Sequence, residues 1–226
     1  MKNCIVVAEV GNNHEGSVQS AFQMLEAAKN AGADLVKFQA GTAEYFARTP
    51  EDEPIYQRYE LGLPVYRRLI EHGKEIGIPV FFSIWGGDEF HELMGEYRKV
   101  ASRQCVPEYI KRWDSVNTFV SIPQWMSQAD VLALGIVESI PLHCVTEYPA
   151  KDPMLWRIER LREWLGPRVG YSDHTVGIEA CIEAVRLGAC VIEKHFTLAH
   201  DFGHLRDHAL SATPEELRTL VDEIGS

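Results

Sequence analysis

The chain has 226 residues, of which 46% are hydrophobic, and a formal net charge of −11. This hydrophobic content is enough for one substantial core and excludes a disordered chain, and the acidic balance argues against a nucleic-acid surface, which needs clustered lysine and arginine. The five scattered cysteines form no C-x-x-C pair and no stretch approaches the ~20 apolar residues of a membrane span, so we predict a cytoplasmic protein without disulfides, zinc ribbon or membrane contact.

Short runs rich in β-branched and aromatic residues alternate along the chain with longer segments of helical periodicity. We predict strands at residues 4–10, 34–39, 79–84, 98–102, 118–122, 140–145, 168–172 and 190–196. We predict helices at residues 18–31, 65–76, 153–165 and 178–187, and a last helix at 213–224 with Thr213 as its N-cap. Buried strands separated by helices imply parallel βαβ units. The pattern therefore predicts an α/β fold, a (β/α)8 TIM barrel forming one domain over residues 1–226, with a doubly wound open sheet as the alternative.

Polar residues stand where the predicted strands end, which is where (β/α)8 barrels place their active sites. In chain order these residues are Glu9, Lys37, Gln39, Ser83, Lys99, Ser102, Ser121, His143, Thr146, Glu147, His174 and His195. Glu9 stands just before a glycine-rich turn, where a carboxylate can act as a general base, orient a water molecule or simply cap the turn. His14, a little further on, can bind a substrate or cap the helix that begins near Ser17.

Two lysines, Lys37 and Lys99, interrupt strands that are otherwise apolar. A lysine inside a barrel needs a partner, and three arrangements satisfy that need. The first is an internal salt bridge with Glu9 or Glu193. The second is a site for a phosphate or carboxylate, completed by the serines at positions 83, 102 and 121. The third is the Schiff-base lysine of an aldolase. The spacing of the lysines does not choose among them.

His174 and His195 are 21 residues apart, which is about one helix and one strand. The fold would place them on neighbouring strands whose backbones lie ~4.8 Å apart. Two imidazoles at that separation can share a divalent cation, although each can also be an ordinary hydrogen-bonded polar residue. Strand alternation puts Glu193 on the same face as His195 and turns Lys194 toward the helical layer or the rim. A metal held by two histidines keeps open positions, which favours a catalytic site over a structural one.

Four segments, "AEVGNNHEG", "AGADLVKFQ", "GYSDHTVGIEACIEAVRLGACVIEKHFTL" and "DHALSATPEEL", occur in this order along the chain. Together they resemble the catalytic barrel of the sialic acid synthase family, the phosphoenolpyruvate-dependent synthases of N-acetylneuraminate and related nonulosonates. The resemblance spans nearly the whole chain, and the pair formed by "SDHT" and "EKHFT" is its most specific part.

The resemblance implies roles for individual residues. His174 and His195 would bind a divalent metal, usually manganese, and Glu9 would be catalytic. Phosphoenolpyruvate would be held by Lys37, Lys99, Ser102 and Ser172. Tyr148 matches the tyrosine of the family's "HCTNEYP" segment, and Asp207 matches an aspartate that contacts the sugar acceptor. The implied reaction condenses phosphoenolpyruvate with an aldose, an amino sugar such as N-acetylmannosamine or a relative, to a 2-keto-3-deoxy sugar acid and phosphate.

The sequence also departs from the family pattern. Ile84 replaces a threonine that contacts the phosphate, and Thr146 replaces an asparagine. The sequence contains no counterpart of the C-terminal antifreeze-like domain of longer members. We therefore predict a short form whose acceptor surface is incomplete or differently built. The segment 41–62 would either supply part of that surface or merely cover the barrel, and a separate domain or chain is the other source. The family resemblance also implies a homodimer. The alternatives are a degenerate barrel that binds an anionic sugar or metabolite without turnover, and a Schiff-base aldolase using Lys37 or Lys99.

Overall fold

Parallel strands close into a barrel in the computed structural model, which describes residues 4–47 and 49–225. The strands are β1 Ile5–Gly11, β2 Leu35–Gly41, β3 Val80–Trp85, β4 Arg98–Val100, β5 Thr118–Pro123, β6 Ile140–Cys144, β7 Gly170–Asp173 and β8 Val191–His195. Each strand pairs with the next along the chain, and β8 pairs with β1. The predicted (β/α)8 barrel is confirmed and the open doubly wound sheet is wrong. The single-domain prediction also covered residues 1–3, 48 and 226, which lie outside the described residues.

Helices follow most strands and cover the outside of the barrel. The α-helices are α1 Val18–Asn30, α2 Ala43–Phe46, α3 Glu53–Gln57, α4 Leu63–Ile76, α5 Pro107–Trp113, α6 Gln128–Ala133, α7 Trp156–Leu165, α8 Glu179–Arg186 and α9 Pro214–Gly225. Short 3-10 helices lie at Asp88–Leu93, Ser102–Gln104 and Arg206–Leu210. The five predicted helices are all present, and Thr213 caps α9 as expected, with its hydroxyl accepting a hydrogen bond from the backbone N–H of Glu216. No helix in the described part of the chain combines the length and the apolar character that a membrane crossing requires.

Successive side chains of each strand point alternately out of and into the barrel, which produces two separate apolar layers. Outward side chains pack against the helices in one large cluster. Inward side chains fill the lower part of the barrel, and they are Val7, Leu35, Phe81, Phe119, Ile140, Leu142 and Val191. Full burial of one such side chain contributes ~1.5–3 kcal/mol. This apolar plug fills the interior of the barrel at the amino ends of the strands.

The inward face becomes polar two residues beyond the plug. On five strands, the residues in this next position are Glu9, Lys37, Ser83, Ser121 and Glu193. Because successive side chains of a strand alternate between the faces, these residues point into the barrel directly above the apolar layer. The fold therefore gathers charged and hydroxyl groups from distant parts of the sequence at the carboxyl ends of the strands.

Candidate functional site

A cavity of about 410 Å³ opens at the carboxyl ends of the strands, within the ~300–1,000 Å³ typical of small-molecule sites. Eleven of the candidate site residues that the sequence indicated lie on its wall: Glu9, Lys37, Ser83, Lys99, Ser102, Ser121, Tyr148, Ser172, His174, His195 and Asp207. His14, His143 and Glu147 do not line it. The structure thus brings these eleven residues together around one space. The chemical role of each residue stays a prediction.

The floor of the cavity is a group of four buried charges, Glu9, Lys37, Lys99 and Glu193, which we call the charged layer. The ammonium of Lys37 lies 3.0 Å from a carboxylate oxygen of Glu9 and 3.2 Å from one of Glu193. The ammonium of Lys99 lies 2.8 Å from the other oxygen of Glu193. The internal salt bridges considered from the sequence are therefore present. They do not exclude anion binding, because both lysines also line the cavity.

The two carboxylates of the charged layer differ in acidity. Burial raises the pKa of Glu9 to about 7, against the opposing charge of Lys37. Burial also disfavours the charged form of Glu193, but the ammonium groups of Lys37 and Lys99 outweigh it and hold that pKa well below its usual range. Glu193 accepts a further hydrogen bond of 2.9 Å from the hydroxyl of Ser172. A proton added to this layer near neutral pH is therefore expected on Glu9.

The pKa values of the two lysines of the charged layer also shift in opposite directions. Burial lowers the pKa of Lys37, but the carboxylates of Glu193 and Glu9 outweigh burial and leave that pKa above its ordinary value. Burial also lowers the pKa of Lys99, and there the nearby carboxylate of Glu193 does not fully compensate. Lys37 additionally donates a hydrogen bond of 3.2 Å to Ser83. Once Glu9 is protonated, two ammonium groups face one carboxylate, so the floor carries a net positive charge that favours an anion.

His174 and His195 lie side by side at the rim of β7 and β8, with ring centroids 5.4 Å apart. Both residues are buried. Burial lowers the pKa of His174 to about 4 and that of His195 well below its ordinary value. The Nδ1–H of His174 donates to the carbonyl of Val145, so Nε2 carries the lone pair, and it accepts a hydrogen bond of 2.8 Å from the hydroxyl of Tyr148. The expected proximity of the two imidazoles is confirmed.

The histidine pair fits a divalent cation that takes part of its coordination from elsewhere. Both rings are neutral at physiological pH, which is the form that binds metals. Nδ1 of His195 is buried and makes no hydrogen bond with any described residue. Within residues 4–47 and 49–225, no group of three or more His, Cys, Asp or Glu side chains is arranged as a complete metal site. Two imidazoles alone suit an open site, in which water or substrate fills the other positions.

A buried ion pair stands behind the histidines, on the outer face of the barrel wall. Lys194 turns away from the cavity, as strand alternation predicted, and its ammonium lies 2.6 Å from a carboxylate oxygen of Asp173, with both side chains fully buried. Asp173 also accepts hydrogen bonds from the hydroxyl of Tyr171 and from the backbone N–H and hydroxyl of Thr175. The pair joins β7 to β8 at the residues that immediately precede the two histidines.

The remaining rim residues include two that the family resemblance singled out. Tyr148 lies against both imidazoles, with ring centroids 4.0 Å from His174 and 5.8 Å from His195. Asp207 lies in the 3-10 helix Arg206–Leu210 that follows β8, and burial raises the pKa of its carboxyl. The guanidinium of Arg206 stacks over the Tyr148 ring at 5.5 Å. These residues place a carboxyl and a guanidinium beside the histidines.

Three further residues that the sequence analysis discussed, His14, Ile84 and Thr146, differ in their relation to the cavity. His14 is fully buried and accepts a hydrogen bond from the backbone N–H of Gly16, while α1 is capped by the hydroxyl of Ser17. The structure therefore places His14 in the turn and not among the residues that line the cavity. Ile84 packs in the cluster under the helices. Thr146 lines the cavity, where its backbone N–H donates to the side-chain oxygen of Gln124.

The sequence analysis missed one side of the cavity. Phe46, Tyr56, Trp85 and Arg103 line its mouth. The only signals in the sequence were the position of Trp85 at the end of the third strand and the length of the segment 41–62. The structure shows that this segment contributes Phe46 from α2 and Tyr56 from α3.

Known proteins with similar sequences and structures exist over nearly the whole chain. The sequence profile of the NeuB family matches residues 24–226. The chain is 33% identical to N,N'-diacetyllegionaminic acid synthase of Campylobacter jejuni, with 99% of this chain and 76% of that protein covered. It is 30% identical to N-acetylneuraminate-9-phosphate synthase of Homo sapiens, with 98% and 69% covered. The crystal structure of N-acetylneuraminic acid synthetase from Leptospira borgpetersenii is similar with a TM-score of 0.89 at 29% identity, covering 98% of this chain and 82% of that one.

Proposed function

The chain belongs to the NeuB family, and on this basis we propose that it is a synthase that condenses phosphoenolpyruvate with an aldose to give a 2-keto-3-deoxy sugar acid and phosphate. The acceptor in this proposal is an amino sugar such as N-acetylmannosamine or a relative. The observation that carries the proposal is the arrangement of one cavity, in which the charged layer forms the floor, serines surround the space above it and two neutral imidazoles stand at the rim. The proposal places the reaction in the cytoplasm, where thiols stay reduced, and Cys105, Cys144, Cys181 and Cys190 are free thiols.

The charged layer is suited to hold the anionic substrate. The ammonium groups of Lys37 and Lys99 take the phosphate and carboxylate of phosphoenolpyruvate, exchanging part of their contact with Glu193 for contact with the ligand. The hydroxyls of Ser83, Ser102, Ser121 and Ser172 stand around the same space as hydrogen-bond donors. Because these groups are fixed by the barrel, they orient the enol carbon toward the rim at little entropic cost on binding.

The rim is suited to hold the acceptor. His174 and His195 are the residues that would hold a divalent cation, manganese in this proposal. Such a cation, when bound, supplies Lewis-acid polarisation of the acceptor aldehyde. Tyr148 and Asp207 provide hydrogen-bonding groups on the same side of the cavity. The acceptor aldehyde therefore lies between the histidines and the enol carbon.

The covalent steps form one carbon–carbon bond and one carbon–oxygen bond to water, and they break the carbon–oxygen bond to phosphate. The enol carbon attacks the aldehyde carbon, and the aldehyde oxygen becomes a hydroxyl by taking a proton. Water adds to the resulting cation at the former C2 of phosphoenolpyruvate, and phosphate leaves with cleavage of its bond to that carbon. The hydroxyl that water adds loses its proton as phosphate leaves, which gives the ketone. Glu9, whose pKa is raised to about 7 by burial, is placed to orient this water and accept its proton.

The test is manganese-dependent release of phosphate from phosphoenolpyruvate with a panel of hexosamines and aldoses. We expect release with at least one N-acylated hexosamine, and loss of that release in His195→Ala. The matched control is His72→Ala, which removes a histidine of α4 that is hydrogen-bonded to Glu26 and does not line the cavity. Binding of phosphoenolpyruvate without release for any acceptor would contradict the synthase and favour a non-catalytic binding protein.

The lowered pKa of Lys99 favours one second candidate, a Schiff-base aldolase. A lysine with a depressed pKa has more of the neutral amine that attacks a ketone. Borohydride treatment in the presence of pyruvate, followed by mass spectrometry of peptides, separates the two mechanisms. An adduct on Lys99 or Lys37 would displace the phosphoenolpyruvate mechanism, and the synthase predicts none.

A further inference from the structure

The mouth of the cavity has a side that the proposed chemistry does not use. It consists of Phe46, Tyr56, Trp85 and Arg103, which we call the aromatic wall. Trp85 stands two residues beyond Ser83 on β3, so both side chains face the cavity and Trp85 is the nearer to solvent. The wall therefore lies above the floor where the anionic substrate is proposed to bind.

The members of the aromatic wall hold one another in place. The rings of Phe46 and Tyr56 are stacked, with centroids 5.8 Å apart, and the Phe46 ring lies 6.0 Å from that of Trp85. The guanidinium of Arg103 lies 5.1 Å from the Trp85 ring centroid and donates a hydrogen bond of 3.4 Å to the carbonyl of Phe46. Aromatic pairs and cation–π contacts of this kind stabilise the arrangement of the four side chains. The wall is thus a built surface and not a chance meeting of side chains.

The wall also carries hydrogen-bond donors that the protein leaves unused. Arg103 is exposed and has no carboxylate partner among the described residues, so most of its five N–H groups have no protein acceptor. The indole N–H of Trp85 is buried and makes no hydrogen bond with a described residue. A ligand that fits here combines a small apolar group for the rings with an oxygen that accepts hydrogen bonds. A neutral oxygen can accept these hydrogen bonds, so the ligand does not need to carry a negative charge.

We propose that the aromatic wall is the subsite for the N-acyl substituent of the acceptor sugar. The methyl of an acetamido group packs against Trp85, and its carbonyl oxygen accepts a hydrogen bond from Arg103. This inference rests on the proposed function, because it takes the acceptor aldehyde to lie at the histidines and its substituent to extend across the mouth. The wall then makes the enzyme discriminate an N-acylated amino sugar from the hexose that carries a hydroxyl at the same carbon.

The experiment compares kcat/KM for N-acetylmannosamine with kcat/KM for mannose, at saturating phosphoenolpyruvate. A lost apolar or polar contact of this size changes discrimination by about tenfold or more. We expect Trp85→Leu and Arg103→Met each to lower the ratio by about tenfold, with KM for phosphoenolpyruvate and kcat/KM for mannose changed less than about twofold. Because Arg103 is exposed, its variant keeps the test informative if Trp85→Leu does not fold.

The matched control is Trp156→Leu, which removes an exposed tryptophan of α7 that does not line the cavity, and it should leave the ratio unchanged. An unchanged ratio in both wall variants would overturn the inference while leaving the synthase intact. If no acceptor is turned over, the proposed function fails, and saturation-transfer NMR of the acetyl methyl of N-acetylmannosamine then decides the inference. Saturation transfer from the wild-type protein to the acetyl methyl that is lost in Arg103→Met supports the subsite. Saturation transfer that is absent with the wild type, or unchanged in the variant, overturns it.

Discussion

The substitution Lys194→Met removes the ammonium that neutralises Asp173 inside the protein. Both side chains are 0% exposed and their charged atoms are 2.6 Å apart. Asp173 would keep its hydrogen bonds from Tyr171 and Thr175, but a buried charge left without its partner costs ~3–5 kcal/mol. In a domain of this length ~1 kcal/mol corresponds to ~2–4 °C, so we expect Tm to fall by ~6–20 °C.

Urea unfolding of a double-mutant cycle checks this magnitude. Adding Asp173→Asn to Lys194→Met removes the orphaned charge, so the double variant should be more stable than the sum of the single effects predicts, by ~1 kcal/mol or more. The control is Arg186→Met, which breaks an exposed pair with Glu183 and should cost less than ~1 kcal/mol. If Lys194→Met cost no more than this control, the reasoning that burial makes the pair essential to stability would be refuted.

Three further predictions concern the floor, the rim and the opposite end of the barrel. Because the pKa of Glu9 is raised to about 7, the carboxylate forms as the pH rises through neutrality. We expect kcat to show an inflection near this pH that is absent in Glu9→Gln, and an inflection that persisted would contradict the assignment. Gly41→Ala would place its Cβ 1.7 Å from the carbonyl oxygen of Trp85 and should lower the free energy of unfolding by more than ~2 kcal/mol. The control is Gly95→Ala, whose added Cβ would meet no atom within 4 Å, and it should change the free energy of unfolding by less than ~0.5 kcal/mol. If thermal unfolding showed the same loss of stability for both variants, the predicted clash at Gly41 would be contradicted. Burial would raise the pKa of Asp114, but hydrogen bonds from a serine hydroxyl and three backbone N–H groups hold it below its ordinary value. A carboxyl whose pKa is lower in the folded than in the unfolded state stabilises the protein above its unfolded pKa, and this stabilisation is lost as the pH falls. Asp114→Ala should therefore lower the free energy of unfolding by ~1.5–3 kcal/mol at pH ~7 and by less below pH ~4. If urea unfolding showed the same difference in stability between the wild type and Asp114→Ala at every pH, this prediction would be contradicted.

Most of the barrel and of the candidate site could be predicted from local patterns. Alternation of strand and helix periods located the eight strands to within a few residues. The polar residues at strand ends, from Glu9 to His195, then followed because parallel strands deliver their carboxyl ends to one edge. The same alternation placed Lys194 outside the cavity and Glu193 inside it, as the structure confirms.

Charge pairing within the floor could not be predicted in the same way. From the sequence, Lys37 had several possible partners. In the structure its ammonium forms ion pairs with both Glu9 and Glu193, which are more than 180 residues apart. The different pKa values of these carboxylates depend on that sharing, since Glu193 is close to two lysines and Glu9 is held mainly by one. The aromatic wall was missed for a similar reason, because Tyr56 and Arg103 come to lie against Phe46 only in the folded chain.

By itself the sequence determined the secondary structure, the parallel arrangement of the strands and the set of side chains at their carboxyl ends, because these depend on periods of two to four residues. Only the tertiary structure decided that β8 pairs with β1 and which charges face one another. Closure and register depend on contacts between residues far apart in the chain, and such contacts leave no local pattern. The electrostatic character of the cavity belongs to the folded molecule for the same reason, since it arises from burial of groups that would each be solvated in isolation.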